Sequence, residues 1–490
     1  MDAQPVAGQT RLVRNAWRNV AFTPAAVVRP LSLTALQQTV RDAAGRGLHV
    51  KAVGGGHSMN HIFRTEGVLV DLSALNRVLD VDLDAGTAWV EGGITLGDAI
   101  VALDSRGLHF PSLGSWYSQS IAGAIATSTH GSSLTHGSLS DIVLAVEVLL
   151  ADGSVRRIER EGDTLAAWRC HLGELGVVVK VKLQLVPVFW LACETATRPA
   201  AGAFDTLADA ARAAEYVNVL YLPDLGEVVT RVLTRVDAEM PNAAAHAYRE
   251  SFTRPTGLRH RITDVGLFLI GHAYQLLPRR LAKWYSGRVK AAFNADAGVV
   301  DKSYRVFLYD QYREPTENHF LRMIMNVEYA FDLADLGPLM HRLDALLRTQ
   351  RERGRYLHYP RVHIRFAPRS ERTLVGLNAE RDTAFVGIYV VGSIRSDRQI
   401  PIAEEIEDLF EAFGGRPHWG KFRYRSEPSP MARYPAAARF EAVRSELDPG
   451  GLFREASDMF HDLDTMRRPP LGAMFRSVFD PDEYETPRVF

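Results

Sequence analysis

Residues 51–63 read KAVGGGHSMNHIF: a short strand-like run, then Gly54, Gly55 and Gly56, then His57 and Ser58. Glycine tolerates positive φ and lets backbone N–H groups approach an anion with no Cβ in the way. The run therefore fits a phosphate cradle as well as it fits a flexible turn after a strand. It is neither of the two common nucleotide loops. The third spaced glycine and following helix of the Rossmann fingerprint are missing, and so is the Lys-Ser/Thr of a P-loop. Its neighbours along the chain must decide.

At 490 residues the chain exceeds one compact core, so two or more domains are expected. Hydrophobic residues at 46% and charged residues at 23% are ordinary for a soluble globular protein. A net charge of −1 leaves no basic footprint for nucleic acid or an anionic membrane. Cys170 and Cys193 are too few for a disulfide framework and wrongly spaced for zinc, which fits a reducing compartment. The opening MDAQPVAGQTRLVRNAW has no apolar signal-peptide core, and no run approaches the ~18 apolar residues of a membrane-spanning helix. A cytoplasmic location is expected.

From about residue 20 to 190 the texture is strands, turns and one or two helices. RVLDVDL and TAWVEGG flank a turn at Asp84-Ala85-Gly86, and TLGDAIVALDSRGL reads as a helix. LAVEVLLA and SVRRIER are joined by Asp152-Gly153, which predicts a two-residue hairpin. VVVKVKLQLVPV predicts a long strand with Lys180, Lys182 and Gln184 on one face. This half is α+β and lacks the strand-helix alternation of a doubly wound sheet. Between 200 and 430, DTLADAARAAEYV and DLADLGPLMHRLDALLRTQRERG have helical periodicity, the second stopping at a glycine after a basic last turn. The apolar, basic stretch 261–293 reads first as a helix pair broken at Pro278 and second as a membrane-surface segment. FEAVRSELDPGGLF is a helix stopped by Asp-Pro-Gly-Gly.

Three other stretches carry candidate chemistry. SLGSWYSQSIAGAIATSTHGSSLTHGS, 112–138, is rich in amides and hydroxyls that could wrap a large polar ligand, and its His130 and His136 lack a third metal-ligating residue at helical spacing. In RVHIRFAP, 361–368, strand alternation places His363 and Arg365 on one face and Val362, Ile364 and Phe366 on the other. RPHWGKF, 416–422, taken alone is a surface turn.

Taken in order, WRNVAFTPAAVVRP (17–30), VGGGHS, LGSWYSQSIAGAIATSTHGSS, LGELGVV (172–178), DKSYRVF (301–307), NVEYAF (326–331), HIRF, HWGK and ELDPGGLF resemble the vanillyl-alcohol-oxidase-type flavoproteins, in their aldonolactone and alditol oxidase branch. The resemblance spans residue 17 to about 455. It implies an α+β chain with a PCMH-type FAD-binding domain (17–195), an α+β cap over the flavin (196–425) and a C-terminal segment (426–490) returning to the FAD domain. The segment beyond residue 460 lies outside the family pattern.

The resemblance also implies a division of labour. Val53, Gly54, Gly55, Gly56, His57 and Ser58 would hold FAD, with His57 bonded covalently to the flavin 8α-methyl carbon. His61, four residues on, offers a proton acceptor as one reading, and a surface role is the preferred one. Gly114, Ser115, Gly123, Thr129, His130, Gly131, Val177 and Val178 would complete the cofactor site. Gly114 falls where oxidases of this branch carry a small residue, favouring reoxidation by O₂. His363, Arg365 and Lys421 would be catalytic, Lys421 lying near the flavin N1 and Arg365 facing substrate. His363 departs from the branch, whose strand reads Glu-x-Arg; a neutral imidazole can accept a proton but offers no fixed negative charge beside Arg365. The implied activity is oxidation of a CH–OH group of a sugar, sugar lactone or polyol, with release of H₂O₂. A dehydrogenase passing electrons to a quinone or other carrier is the alternative. No metal and no nucleic-acid partner is implied.

Overall fold

The glycine loop leaves the end of a three-stranded parallel sheet. Its strands, Ala26–Val28, Val50–Val53 and Val68–Asp71, place Val68–Asp71 in the centre. The computed structural model describes residues 11–17, 19–247, 279–313, 324–355, 361–391, 396–425 and 430–454. Parallel strands need a crossover, supplied here by the helix Leu33–Gly45. Ser32 starts that helix, its side chain accepting from the Ala35 amide, and Leu36, Val40 and Ala43 bury its inner face against Val50, Val68 and Val70.

Beside it lies a five-stranded antiparallel sheet in the order Val155–Ile158, Val143–Leu149, Val177–Gln184, Thr87–Glu91, Val78–Asp82. The expected alternation holds in the third of these. Val181 and Leu183 are buried while Lys180, Lys182 and Gln184 are more exposed. The hairpin near Asp152 differs from expectation. Leu150 accepts from Gly153 and donates to Ser154, so the loop is Ala151-Asp152-Gly153 with Gly153 at φ +77°. Three residues with a left-handed glycine last is the next commonest hairpin solution.

Trp190–Pro199 is the first element of an eight-stranded sheet whose neighbouring strands are all antiparallel. The order is Val300–Lys302, Trp190–Pro199, Glu227–Val236, Tyr216–Leu222, Val362–Ala367, Thr383–Val391, Ile324–Asp332, Arg416–Pro417. The helices Leu336–Glu352 and Ser396–Ala412 cover one face, packing Leu339, Leu343, Ile406 and Phe410 onto Val327, Tyr329, Ile364 and Val386. Arg279–Phe293 packs on Leu220, Leu222 and Val229, which face the other way. The break expected at Pro278 lies outside the described residues, as does the segment beyond 454. In 205–217 the helix is shorter than its periodicity suggested, ending at Arg212 before the strand that begins at Tyr216.

After the large sheet the chain returns to the small one. Helix Ala437–Leu447 ends at Asp448, whose carboxylate accepts from the Leu452 and Phe453 amides at 2.8 Å each. Leu452 in turn accepts from the Val50 amide at 2.9 Å, at the start of the strand that leads into the glycine loop. No described helix is long and apolar enough to cross a membrane.

Candidate active site

Gly54 and Gly55 are glycines for reasons of space. A Cβ on Gly54 would lie 1.7 Å from Ser120 Oγ, and one on Gly55 would lie 2.3 Å from the Ser118 carbonyl oxygen. Gly56 sits at φ +61°, where side chains are disfavoured. The loop is thus pressed onto the 118–120 segment, and together they wall a long cavity. It is lined by Val53 to Ser58 of the loop, by Gly114, Ser115, Trp116 and Gln119, and by Lys51, His171 and Gly173. Also lining it are Arg365, His418, Gly420 and Lys421 from the large sheet and the loop after it. Lining groups thus come from the three-, five- and eight-stranded sheets and from loops beside them.

His57 sits inside this cavity. Its Nε2 is 2.8 Å from Ser118 Oγ, while its Nδ1 is shielded from solvent and has no hydrogen-bond partner. Trp17 Nε1 donates to the His57 carbonyl at 2.9 Å, and the Trp116 ring lies 6.0 Å away at 34°. Lack of water, and then the Lys421 charge, push the imidazole pKa down to about 4. The ring is neutral at pH 7.

The Arg365 side of the cavity is built on a carboxylate that the sequence did not announce. Glu328, in the strand Ile324–Asp332, is 2% exposed; its Oε2 accepts from Arg365 at 2.6 Å and its Oε1 lies 3.0 Å from His130 Nε2. A fixed negative charge therefore does stand beside Arg365, reaching it from another strand. The register explains how. Glu328 and His363 both pair with Gly387 in the intervening strand Thr383–Val391, one from each side. A Cβ on Gly387 would lie 3.2 Å from Glu328 Oε2, so glycine leaves the carboxylate its space. Phe385, opposite Arg365, stacks on His130 with centroids 3.4 Å apart.

Charges here are strongly coupled. Arg365 and His130 hold the Glu328 carboxyl well below its usual range against the opposing effect of burial. Burial depresses His418, whose Nδ1 accepts from the Gly420 amide at 3.1 Å. Lys421 is brought down to about 8, first by lack of water and also by Arg365, with Glu328 pulling the other way. The ligating atoms of His130, Glu328 and His418 lie within 4.8 Å of one another. Both Glu328 oxygens are already engaged, however, and the Arg365 and Lys421 cations stand beside the cluster, so it is better read as a hydrogen-bond network than as a metal site.

Most expected cofactor residues meet at the cavity: Val53, Gly54, Gly55, Gly56, His57, Ser58, Gly114, Ser115, Gly123, Thr129, His130, Val178 and Lys421 all line it. Gly131 and Val177 do not. Gly131 is packed against Ser112 and Leu113, and strand alternation turns Val177 into the apolar cluster behind the small sheet while Val178 faces the cavity. His363 is also absent from the lining. It lies further along its strand, its ring 6.5 Å from that of Phe293 in the covering helix. His61, expected at the surface, is 6% exposed. His136 is apart from His130, bonded to Glu215 at 2.6 Å. HWGK is no surface turn: Trp419 is 1% exposed and donates to the Val375 carbonyl. Glu328 and Lys51 were missed, although a lone Glu within the apolar NVEYAF and a Lys just before three glycines were available signals.

An FAD-binding-domain family model matches residues 24–159, and the D-arabinono-1,4-lactone oxidase model matches 181–461, more than half of the chain. The chain belongs to the D-arabinono-1,4-lactone oxidase family. Among the relatives it resembles, L-gulono-1,4-lactone dehydrogenase of Mycobacterium tuberculosis is 31% identical over 433 residues, covering 88% of this chain and 94% of the relative. Alditol oxidase of a Streptomyces species is 29% identical (89% and 95% covered), and bovine L-gulonolactone oxidase is 28% identical (90% and 95%). Among solved structures, cholesterol oxidase from B. sterolicum superposes with a TM-score of 0.70 at 14% identity, covering 96% of this chain and 100% of that one, which bears on the fold alone. As a member of the D-arabinono-1,4-lactone oxidase family the protein is an FAD-dependent oxidoreductase. The cavity fits FAD on its own terms. It offers a backbone-lined loop at Gly54–Ser58, a buried nucleophilic nitrogen without a partner at His57, and cationic groups at Arg365 and Lys421.

Proposed function

We propose that the protein oxidises a CH–OH group of a sugar lactone or related polyol, uses O₂ as electron acceptor, and holds its FAD covalently through His57. The observation that carries this reading is the continuity of one cavity from the Gly54–Ser58 loop to Arg365 and Lys421. FAD held there would supply a hydride acceptor that O₂ can reoxidise with release of H₂O₂. Val53 to Ser58 with Gly114, Ser115, Trp116 and Gln119 would hold the cofactor, and Arg365 would bind substrate oxygens, kept in place by Glu328. As the substrate C–H leaves as hydride, its hydroxyl proton passes to Lys421 Nζ, whose pKa near 8 makes the neutral amine accessible at neutral pH. The resulting ammonium would add to Arg365 a second positive charge on the cavity, available to stabilise negative charge gained on reduction. His363, outside the cavity lining, takes no part in this proton transfer.

The test is anaerobic mixing with sugar lactones and alditols, watching the flavin's visible absorbance. Bleaching by at least one of them, followed by H₂O₂ when air is readmitted, is expected; a flavin that no such compound bleaches would sink the reading. The relative named as a dehydrogenase keeps an alternative acceptor in view. Substrate-dependent dye reduction without peroxide would select that alternative. The oxygen step can be probed at Gly114. An added Cβ would lie 3.1 Å from the His130 carbonyl oxygen and 3.3 Å from Thr129 Cγ2, a fit that needs shifts of only tenths of an ångström. Gly114→Ala should therefore fold, bleach normally with substrate and reoxidise in air several-fold more slowly; unchanged reoxidation would remove Gly114 from oxygen access. Covalent attachment is tested by acid precipitation. Yellow colour should stay with the wild-type pellet and move to the supernatant in His57→Ala, and a bond surviving in that variant would point to another nucleophile.

A further inference from the structure

Resting on the covalent reading of His57, we infer that Ser118 is the residue that prepares this histidine for attachment, fixing its ring proton on Nε2 and then carrying that proton away. The two nitrogens of the ring have opposite surroundings. Nδ1 is enclosed and meets no donor or acceptor, whereas Nε2 stands 2.8 Å from Ser118 Oγ. A proton on Nδ1 would be a buried donor with no acceptor, whereas a proton on Nε2 meets the Ser118 hydroxyl oxygen, so the surroundings hold the proton on Nε2. A neutral imidazole carries one N–H, so the nitrogen left with a free lone pair is Nδ1, on a ring that lines the cavity.

The same segment fixes the ring's place. Gly55 admits no Cβ because the Ser118 carbonyl oxygen and His57 Cδ2 crowd it, at 2.3 and 2.9 Å. Trp17 ties down the His57 carbonyl, and the Trp116 ring stands beside the imidazole. The ring therefore has little freedom to exchange its two nitrogens.

In attachment, a bond forms between Nδ1 and the methyl carbon at the 8α position of the cofactor, and one C–H bond of that methyl breaks. Two protons leave, one from the methyl group and one from Nε2, and the two electrons pass to O₂, giving H₂O₂. Bond formation at Nδ1 would leave the imidazole cationic unless Nε2 gives up its proton. Ser118 Oγ is placed to take that proton while releasing its own to water, and Ser118 is only half-buried. Ser118 is thus a positioning residue: it acts through His57.

The experiment uses full-length apo-protein from a riboflavin-starved host, mixed with FAD in air. Covalent flavin is read as fluorescence of the denatured band in a gel. Wild type should incorporate the flavin. Ser118→Ala should bind FAD but attach it more slowly by about 10²-fold or more, with Ser118→Thr restoring much of the rate. Attachment in Ser118→Ala at the wild-type rate would overturn the inference. Wild type that never attaches flavin would instead overturn the covalent reading beneath it. A second readout needs no flavin. In ¹⁵N-histidine-labelled apo-protein, the resonances absent from His57→Ala should report a protonated Nε2 and an unprotonated Nδ1; the reverse tautomer would overturn the inference whatever the gels show.

Discussion

Replacing Lys421 by methionine should slow anaerobic reduction of the flavin by substrate by about 10²- to 10⁴-fold, the usual worth of a positioned proton acceptor. Methionine keeps the length and apolar stem of lysine and removes only the amine. Since the Lys421 ammonium is disfavoured by lack of water and by Arg365, its loss should leave melting temperature and flavin content intact. The pH dependence gives the sign. The amine, not the ammonium, accepts the proton, so wild-type reduction should speed up as pH rises through about 8 and then level off. Lys421→Met should lose that limb. If Lys421 served only as a standing positive charge, wild-type reduction would instead slow down above pH 8. Rapid-mixing measurements across pH separate the two outcomes, and a loss smaller than about tenfold would rule out proton transfer to Lys421.

What was legible in the sequence was whatever depends on local pattern. The alternation in 177–184, the helix stops at Gly354 and Asp448, and the loop at Gly54–Ser58 all follow from residues adjacent in the chain. Even there, local pattern gave a motif and not its cause. Gly54 and Gly55 are small because Ser118 and Ser120 press on them, and those partners lie more than sixty residues away. The turn at Asp152-Gly153 was recognised, but its length depended on which residues of the two strands came to pair. Val177 and Val178 look alike in sequence and point to opposite sides of one sheet.

The charge beside Arg365 was the least legible feature. HIRF shows an arginine with histidine where a carboxylate was expected, and nothing in that strand says that an acid arrives from elsewhere. It comes across Gly387, whose missing side chain matters only once three strands are aligned. The same alignment left His363 beside Phe293 and outside the cavity, although the strand does place it on the face of Arg365.

Glu328→Gln should therefore have consequences at two distant readouts. Glutamine keeps the size and can still accept from Arg365, but it leaves the guanidinium without its nearly buried counter-charge at 2.6 Å. Breaking such a pair costs about 3 kcal/mol, the low end of the usual range because Arg365 opens on the cavity. A lower melting temperature is expected, and with it a raised KM as Arg365 loses its fixed orientation. A merely structural carboxylate could do as much. The distinguishing readout is the pH profile. Glu328 raises the pKa of Lys421, so its neutralisation should move the midpoint of flavin reduction below about 8, making the variant relatively less impaired at low pH than at high. Glu328→Asp, which keeps the charge and shortens the reach, should disturb KM while leaving the midpoint near its wild-type value. A midpoint unmoved in Glu328→Gln would separate the carboxylate from the chemistry, leaving it a role in folding alone.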